Sequence, residues 1–250
     1  MRVGRPRRSA VRCTCPRARP RRRVAGHGVT DMVRAARAVV PALSKRWFVA
    51  GQSQGGHAAL FTANLATEYA PELDFRGAVA HGAPANLAGL VSVIGPSFPP
   101  VLGAEMKTYV AYILAGLQAS RPDFDLQSYL TPLGRSVVAD AAELCYDDMA
   151  TRMNNIELGE MFTKQLGEPF RQAWDAIYSI PTTGYHRPLF IAQGENDTTS
   201  LPALTDKLVE DLAANGQPHT YRTYPTGHLG TPEAALSDTT AFARQLFAGR

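Results

Sequence analysis

The stretch Trp47-Phe48-Val49-Ala50-Gly51-Gln52-Ser53-Gln54-Gly55-Gly56-His57-Ala58-Ala59-Leu60 decides the fold of this chain. Its first four residues form a short apolar run that is typical of a strand, and the residues after Gly56 follow a helical pattern. A serine bounded by glycines therefore lies between a predicted strand and a predicted helix. The alternative interpretation is an ordinary glycine-rich turn that carries a surface serine.

A serine on so sharp a turn adopts a strained backbone conformation and projects its hydroxyl group. Side chains two positions before and after it would collide with each other and with the neighbouring strand, and Gly51 and Gly55 remove that collision. Gly56 lets the helix lie close to the sheet. The start of the helix supplies free N–H groups, and that of Gln54 is the predicted oxyanion donor. The pattern predicts that Ser53 is a nucleophile.

A nucleophilic serine needs a base, and the base needs a carboxylate that orients it. Asp197 follows the predicted strand 188–192, and His228 lies between two glycines after the predicted strand 220–224. Parallel α/β sheets place their sites at the carboxyl ends of strands, and the order Ser53, Asp197, His228 is the one expected for such a hydrolase. The alternatives are a turn-forming Asp197, with Glu195 as the second choice of acid, and an ordinary loop histidine at 228. Five other histidines are predicted not to be the base: His27, His57, His81, His186 and His219.

Two further segments follow the serine turn: Glu68-Tyr69-Ala70-Pro71-Glu72-Leu73 and Arg76-Gly77-Ala78-Val79-Ala80-His81-Gly82-Ala83-Pro84-Ala85. With the turn itself, they resemble the α/β-hydrolase superfamily and, more narrowly, the secretory lipase family of bacteria and fungi. The resemblance runs from about residue 27 to residue 247. It implies hydrolysis of carboxylic esters, including acylglycerols, with Ser53 as nucleophile, His228 as general base and acid, and Asp197 as its orienting carboxylate. It also suggests export, although the chain shows no apolar signal core.

The predicted fold is an α/β-hydrolase-type parallel sheet of about four strands, without the N-terminal strands of the superfamily and with an inserted helical cap. The expected division is an arginine-rich disordered tail at 1–26, a core made of 27–87 and 186–250, and a cap or lid at 88–185. The cap is expected because 98 residues with several helix patterns join two strands, where a plain crossover needs far fewer. The first helix of the core is predicted to begin at an N-cap, Thr30.

The basic charge of the chain is concentrated at its start. The formal net charge is +4, but residues 1–23 contain ten arginines and no acidic residue, which leaves the remainder at −6. The tail has no aromatic side chain on which bases could stack, so nucleic-acid binding is not expected. Cys13 and Cys15 lack the spacing of a zinc site, and neither a metal nor another cofactor is expected.

The sequence therefore predicts a serine carboxylic ester hydrolase, a lipase or esterase that works through an acyl-enzyme. Its expected partner is a small-molecule ester or lipid, with transient contact with a lipid interface and no obligate protein partner. Two alternatives remain open. One is a catalytically impaired remnant or non-catalytic binding protein, because the expected fold lacks the N-terminal strands and, with them, the loop that supplies a second oxyanion donor. The other is a serine peptidase or acyltransferase with the same three residues.

Overall fold

The structure is a computed structural model that describes residues 24–248, so residues 1–23 of the predicted tail lie outside it. Its helices and strands follow the chain in this order: α1 Val24–Val39, β1 Arg46–Gln52, α2 Gln54–Tyr69, β2 Asp74–His81, α3 Ala88–Ser92, α4 Ala104–Ser120, α5 Pro132–Ala141, α6 Tyr146–Met153, α7 Gly167–Tyr178, β3 Leu189–Gly194, α8 Pro202–Ala214, β4 His219–Tyr224, α9 Thr231–Ala234 and α10 Leu236–Ala248. Short 3₁₀ turns lie at Leu126–Tyr129 and Leu158–Met161.

The sheet formed by the described residues has the order β1-β2-β3-β4, and every neighbouring pair is parallel. This confirms the predicted α/β fold with four parallel strands. Because the strands are parallel, the residues that follow their carboxyl ends lie along one rim of the sheet. The segments after β1, β3 and β4 carry Ser53, Asp197 and His228. Within the described residues, β1 pairs only with β2 and is an edge strand.

Helices cover both faces of the sheet, and the side chains of the two central strands alternate between them. Ala78, Ala80, Leu189 and Ile191 contribute to a core with residues of α2 and α8. Val79, Phe190 and Ala192 point to the opposite face, where Phe242 and Leu246 of α10 pack. The strands β2 and β3 are thus buried on both sides, which explains their continuous apolar sequence.

Helix α1 already includes Val24, the first residue that the structure describes, so the prediction of an N-cap at Thr30 was wrong. Thr30 is fully buried inside the helix, where its hydroxyl donates a 2.9 Å hydrogen bond to the Gly26 carbonyl oxygen. This i−4 bond satisfies a threonine side chain within a helix, which a capping pattern alone does not reveal. Residues 24–26, which had been assigned to the disordered tail, are helical.

The Tyr-Ala-Pro-Glu-Leu segment that carries the family resemblance lies between α2 and β2 and contacts α1. The Arg34 guanidinium pairs with the Glu72 carboxylate at 2.6 Å and donates to the Tyr69 carbonyl oxygen at 2.8 Å. The same guanidinium lies 4.7 Å from the centre of the Tyr69 ring. These contacts attach α1 to the C-terminal end of α2, the helix that follows Ser53.

The described chain divides into two compact units, one formed by residues 93–166 and the other by 24–92 together with 167–248. The smaller unit is helical, and α4 packs against α5 and α6. Within this unit α5 and α6 are separate helices, because Cys145 is the N-cap of α6 and Asp147 and Asp148 occupy its first turn. In the larger unit α7 begins at Gly167, which has a left-handed φ of 63°. The limits of an inserted cap, 88–185, stay a prediction.

None of the helices in the described part of the chain combines the length and the apolar character that crossing a bilayer requires.

Candidate active site

Ser53 occupies the turn between β1 and α2 in a conformation that few residues other than glycine adopt. Its φ is 56° and its ψ is −122°. Strain of this kind persists only where the surrounding structure imposes it. Here the Ser53 N–H donates a 2.8 Å hydrogen bond to the His81 carbonyl oxygen at the end of β2, and the helix begins immediately after the serine. The geometry is that of a nucleophile elbow.

The glycines around the serine have unequal roles. A Cβ atom at Gly51 would lie 2.1 Å from the Gly55 carbonyl oxygen, an impossible contact, whereas a Cβ at Gly55 would meet nothing within 4 Å. The expectation that both residues remove a side-chain collision therefore holds for Gly51 only. Gly56 is the second constrained position, because its Cβ would lie 3.1 Å from the His81 carbonyl oxygen. The helix thus approaches the sheet closely, as the sequence suggested.

Asp197 is almost completely buried just beyond β3, and donors surround its carboxylate. Oδ1 accepts hydrogen bonds from the backbone N–H groups of Thr199, at 2.9 Å, and Ser200, at 2.8 Å. Oδ2 accepts from the Gln193 side-chain amide at 3.1 Å and faces His228 Nδ1 at 2.7 Å. Four donors satisfy a buried carboxylate in its ionised form and fix its orientation.

His228 lies on the loop between β4 and α9, and 11% of its side chain is exposed. Because an ionised carboxylate can only accept, the 2.7 Å contact with Asp197 places the ring proton on Nδ1. Nε2 is then left with a free lone pair and can take up a proton. The pair therefore has the chemistry of a general base held by an orienting acid.

The remaining histidines of the chain have other partners. His57 is buried on α2, where it stacks on Tyr178 with ring centres 4.1 Å apart and donates from Nε2 to the Tyr178 carbonyl oxygen at 2.8 Å. Burial lowers the pKa of His57 from 6.5 to about 4. Burial also lowers the pKa of His81, whose Nε2 contacts the Thr239 hydroxyl at 3.0 Å. His27, His186 and His219 contact Tyr69, Glu68 and the Gln217 carbonyl oxygen, respectively.

Glu195, the second choice of acid, is exposed and accepts a hydrogen bond from the Thr223 hydroxyl at 3.1 Å. It makes no hydrogen bond to His228 among the described residues.

The structure joins Asp197 to His228 directly, and it links Ser53 to that pair through its neighbours. The Gln52 side-chain amide donates to the His228 carbonyl oxygen at 3.3 Å. The Ser53 N–H bonds to the carbonyl oxygen of His81, and the next residue, Gly82, lies against His228. A Cβ at Gly82 would be 3.2 Å from His228 Nδ1. In the described residues the Ser53 hydroxyl itself makes no hydrogen bond to His228. Catalytic hydrogen bonds are often long in ligand-free enzymes and shorten when substrate binds.

Gln54, the predicted oxyanion donor, is the exposed first residue of α2. The first N–H groups of a helix have no partner within it, and the N–H of Gln54 donates to no backbone carbonyl in the described part of the chain. This amide is therefore available to a negatively charged oxygen beside Ser53.

Three residues of this region were not predicted from the sequence to belong to the site: Gly82, Gln193 and Gln52. Gly82 has a left-handed φ of 52°, and its position directly after a buried strand is the signal that could have revealed it. Gln193 is a polar residue at the end of an otherwise apolar strand, a pattern that indicates a buried polar contact. Gln52 lies inside the serine motif itself, where the motif leaves its residue type open.

Comparison with known proteins agrees with this architecture. The family model described as "Secretory lipase" matches residues 19–180, well over half of the chain. Candida antarctica lipase A superposes with a TM-score of 0.71 at 20% identity, over 89% of this chain and 54% of that one. The rice cell wall degrading esterase LipA from Xanthomonas oryzae superposes with a TM-score of 0.67 at 19% identity, over 90% of this chain and 62% of that one.

A curated relative from Mycobacterium tuberculosis is 26% identical over 215 residues and is named "Probable inactive lipase". The alignment covers 80% of this chain and 45% of the relative. The chain thus spans about half of the curated relative that it matches. The family match, the elbow and the four-stranded parallel sheet lead to one conclusion, that the chain belongs to the secretory lipase family.

Proposed function

We propose that the chain hydrolyses carboxylic esters, with Ser53 as nucleophile, His228 as general base and acid, and Asp197 as the carboxylate that orients His228. The observation that carries the proposal is the 2.7 Å contact between the buried Asp197 carboxylate and His228 Nδ1, at the same rim of the sheet as the strained Ser53. The serine turn and the histidine–carboxylate pair each have a structural explanation when taken alone. An oriented histidine at the same rim of the sheet as a serine elbow supports acyl transfer as their shared purpose.

The proposed reaction has two steps. His228 Nε2 takes the proton of the Ser53 hydroxyl while Oγ bonds to the ester carbonyl carbon, and the resulting tetrahedral species releases the alcohol with the proton that His228 returns. An acyl-enzyme remains. Water then loses a proton to His228, attacks the acyl carbon and frees the acid, with the proton returned to Ser53 Oγ. Asp197 stays ionised throughout and stabilises the imidazolium.

The oxyanion formed in both steps requires hydrogen-bond donors. The Gln54 N–H is the donor that this chain supplies beside Ser53, and the partial positive charge at the start of α2 strengthens it. Each oxyanion donor is worth about 10²–10³ in turnover. Activated esters with good leaving groups depend least on this stabilisation, so they are the substrates to use.

The substrate class proposed for the chain is a neutral ester such as an acylglycerol, in keeping with the lipase family. Its expected partners are a small-molecule ester or lipid and, transiently, a lipid interface.

The test is hydrolysis of p-nitrophenyl butyrate by the purified chain. Ser53→Ala should abolish turnover, because no other hydroxyl lies on the elbow. The matched control is Ser136→Ala, which removes an exposed hydroxyl from helix α5 and should leave the rate unchanged. Equal turnover by the wild type and Ser53→Ala would refute the assignment.

A second candidate is a member of the family without catalytic activity. The name of the Mycobacterium tuberculosis relative and the absence of a Ser53–His228 hydrogen bond among the described residues favour it. This candidate predicts that the wild type gives the same background rate as Ser53→Ala in the assay above.

A further inference from the structure

Gln193 is a polar residue buried beside the proposed site. Its side chain is fully buried at the carboxyl end of β3, four residues before Asp197. Nε2 donates to Asp197 Oδ2 at 3.1 Å, to the Ser200 carbonyl oxygen at 2.9 Å and to the Gly194 carbonyl oxygen at 3.2 Å. An amide buried among so many acceptors requires its NH₂ group to face them.

Thr205 determines which end of this amide faces Asp197. The Thr205 hydroxyl is buried on α8 and contacts Gln193 Oε1 at 2.8 Å. The amide oxygen can only accept, so the hydroxyl donates to it. A reversed amide would place its oxygen against the Asp197 carboxylate and its NH₂ group against the threonine, and would lose every contact with the backbone carbonyls. The orientation is therefore fixed from the side opposite to Asp197.

The hydrogen bonds form a continuous path from α8 to the proposed base. Thr205 orients Gln193, Gln193 donates to Asp197 Oδ2, and the same oxygen receives His228 Nδ1–H. The other carboxylate oxygen is occupied by the backbone N–H groups of Thr199 and Ser200. With Oδ1 held by the loop, the amide of Gln193 limits rotation of the carboxylate about its last bond.

We infer that Gln193, oriented by Thr205, is a positioning residue that holds the Asp197 carboxylate so that Oδ2 faces His228 Nδ1. The inference deepens the proposed ester hydrolysis and rests on it for its catalytic consequence. It assigns to Gln193 no contact with substrate. It predicts that the chemistry of this amide, and not its volume alone, sets the orientation of the imidazole.

Three substitutions separate chemistry from volume. Gln193→Met removes the amide at similar size, Gln193→Glu replaces its donor with a carboxyl group, and Thr205→Val removes only the orienting hydroxyl. The matched control is Gln217→Met, which removes a glutamine that accepts from the Tyr185 N–H and donates to the Asn215 carbonyl oxygen in a different region of the core unit. All four are made in the full chain, and thermal unfolding is measured for each.

The first readout is the proton NMR resonance of His228 Nδ1–H, assigned by its loss in His228→Asn. It reports the contact with Asp197 whether or not the chain turns over substrate. We expect the resonance to move or to disappear through exchange in Gln193→Met and Thr205→Val, and to match the wild type in Gln217→Met. A Gln193→Met resonance identical to that of the wild type would overturn the inference.

The second readout is p-nitrophenyl butyrate hydrolysis as a function of pH. Gln193→Met should lower kcat about tenfold with KM within twofold, the effect of one lost buried hydrogen bond. Gln193→Glu places a buried carboxyl group against Asp197, and the two share one proton, so loss of that proton should add a step to the kcat/KM profile that the wild type lacks. A merely structural role would lower thermal stability and leave kcat and the profile of the folded variants as in the wild type, and that result would also overturn the inference.

The outcomes remain distinguishable from failure of the proposed function. If the wild type hydrolyses no ester, the proposed function fails while the resonance still tests the role of Gln193. If Gln193→Met does not fold, Thr205→Val decides, since it replaces a hydroxyl with a methyl group of similar size. A Thr205→Val variant with wild-type resonance and pH profile then counts against the inference.

Discussion

The elbow around Ser53 is built from backbone geometry, whereas the Asp197–His228 pair is built from side-chain hydrogen bonds. In the elbow, a φ of 56° and the approach of Gly51 to the Gly55 carbonyl are set within a few residues. The pair joins residues from two different loops and is fixed by a buried amide and two backbone N–H groups. The elbow should therefore be sensitive to an added carbon atom, and the pair to a change of donor or acceptor at constant size.

The largest effect is expected from the two glycines of the elbow. Gly51→Ala should destabilise the fold by more than about 4 kcal/mol, because its Cβ would overlap the Gly55 carbonyl oxygen. Gly55→Ala should fold as well as the wild type, since its Cβ points into open space near the start of a helix, where alanine is favoured. Thermal unfolding of both variants checks the contrast. Equal stability of the two would show that the close approach at Gly51 is not what shapes the elbow.

The next largest effect is expected in the Asp197–His228 pair, from a substitution that keeps the size of the side chain. Asp197→Asn should lower kcat about 10⁴-fold while the fold is retained, because an amide NH₂ group facing Nδ1 stabilises the wrong tautomer of His228. The control is Glu195→Gln, which alters the exposed neighbouring acid and should leave kcat within a factor of two. Steady-state kinetics with p-nitrophenyl butyrate measure both. A small effect of Asp197→Asn and a large one of Glu195→Gln would reassign the acid.

A smaller effect is expected on the pH dependence of stability, and it distinguishes His57, which has no carboxylate partner, from His228, which is paired with Asp197. His57, on the elbow helix, is buried without a carboxylate, and burial lowers its pKa from 6.5 to about 4. The unfolded chain binds a proton near pH 6.5, whereas the folded chain resists protonation down to about pH 4. Neutral His57 therefore makes its full contribution to the free energy of unfolding above pH 6.5. The free energy of unfolding falls by about 3 kcal/mol on this account as the pH falls from 6.5 towards 4.

The measurement compares the free energy of unfolding of the wild type and His57→Leu at pH 7 and pH 4. The leucine variant lacks the hydrogen bond to the Tyr178 carbonyl oxygen, so it should be the less stable of the two at pH 7. The difference should shrink or reverse at pH 4. A difference that does not change with pH would mean that His57 is not held neutral by burial.

The elements that could be predicted from the sequence are those determined by local pattern. The strand, the glycine-bounded serine and the helix after it lie within 24 residues, so periodicity and turn chemistry were sufficient to identify them. The four parallel strands followed from short apolar runs that end at turns. The choice of Asp197 over Glu195 as acid rested on position relative to the strand, and it stays a prediction for catalysis.

The features that escaped prediction depend on distant contacts. Thr30 lies inside α1, and the same part of the helix packs against α2, where a Cβ at Gly26 would be 2.6 Å from a methyl group of Leu65. Gly82 packs against His228, which lies more than a hundred residues away in the sequence, and Gln193 belongs to a buried hydrogen-bond network. Neither arrangement produces a periodic pattern in the sequence. Gly55 is the opposite case. The motif predicted that a side chain would not fit there, yet a Cβ at Gly55 would meet nothing within 4 Å.

The most direct test of the central claim is covalent labelling by a fluorophosphonate probe, followed by mass spectrometry of the Ser53 peptide. The probe forms a stable bond only with an activated serine, so it reports the cooperation of the elbow with the Asp197–His228 pair without any need for turnover. We expect an adduct on Ser53 of the folded wild type, greatly slowed labelling in His228→Asn, and none in Ser53→Ala. A folded wild-type chain that stays unlabelled at Ser53 while a known serine esterase in the same tube reacts would contradict it.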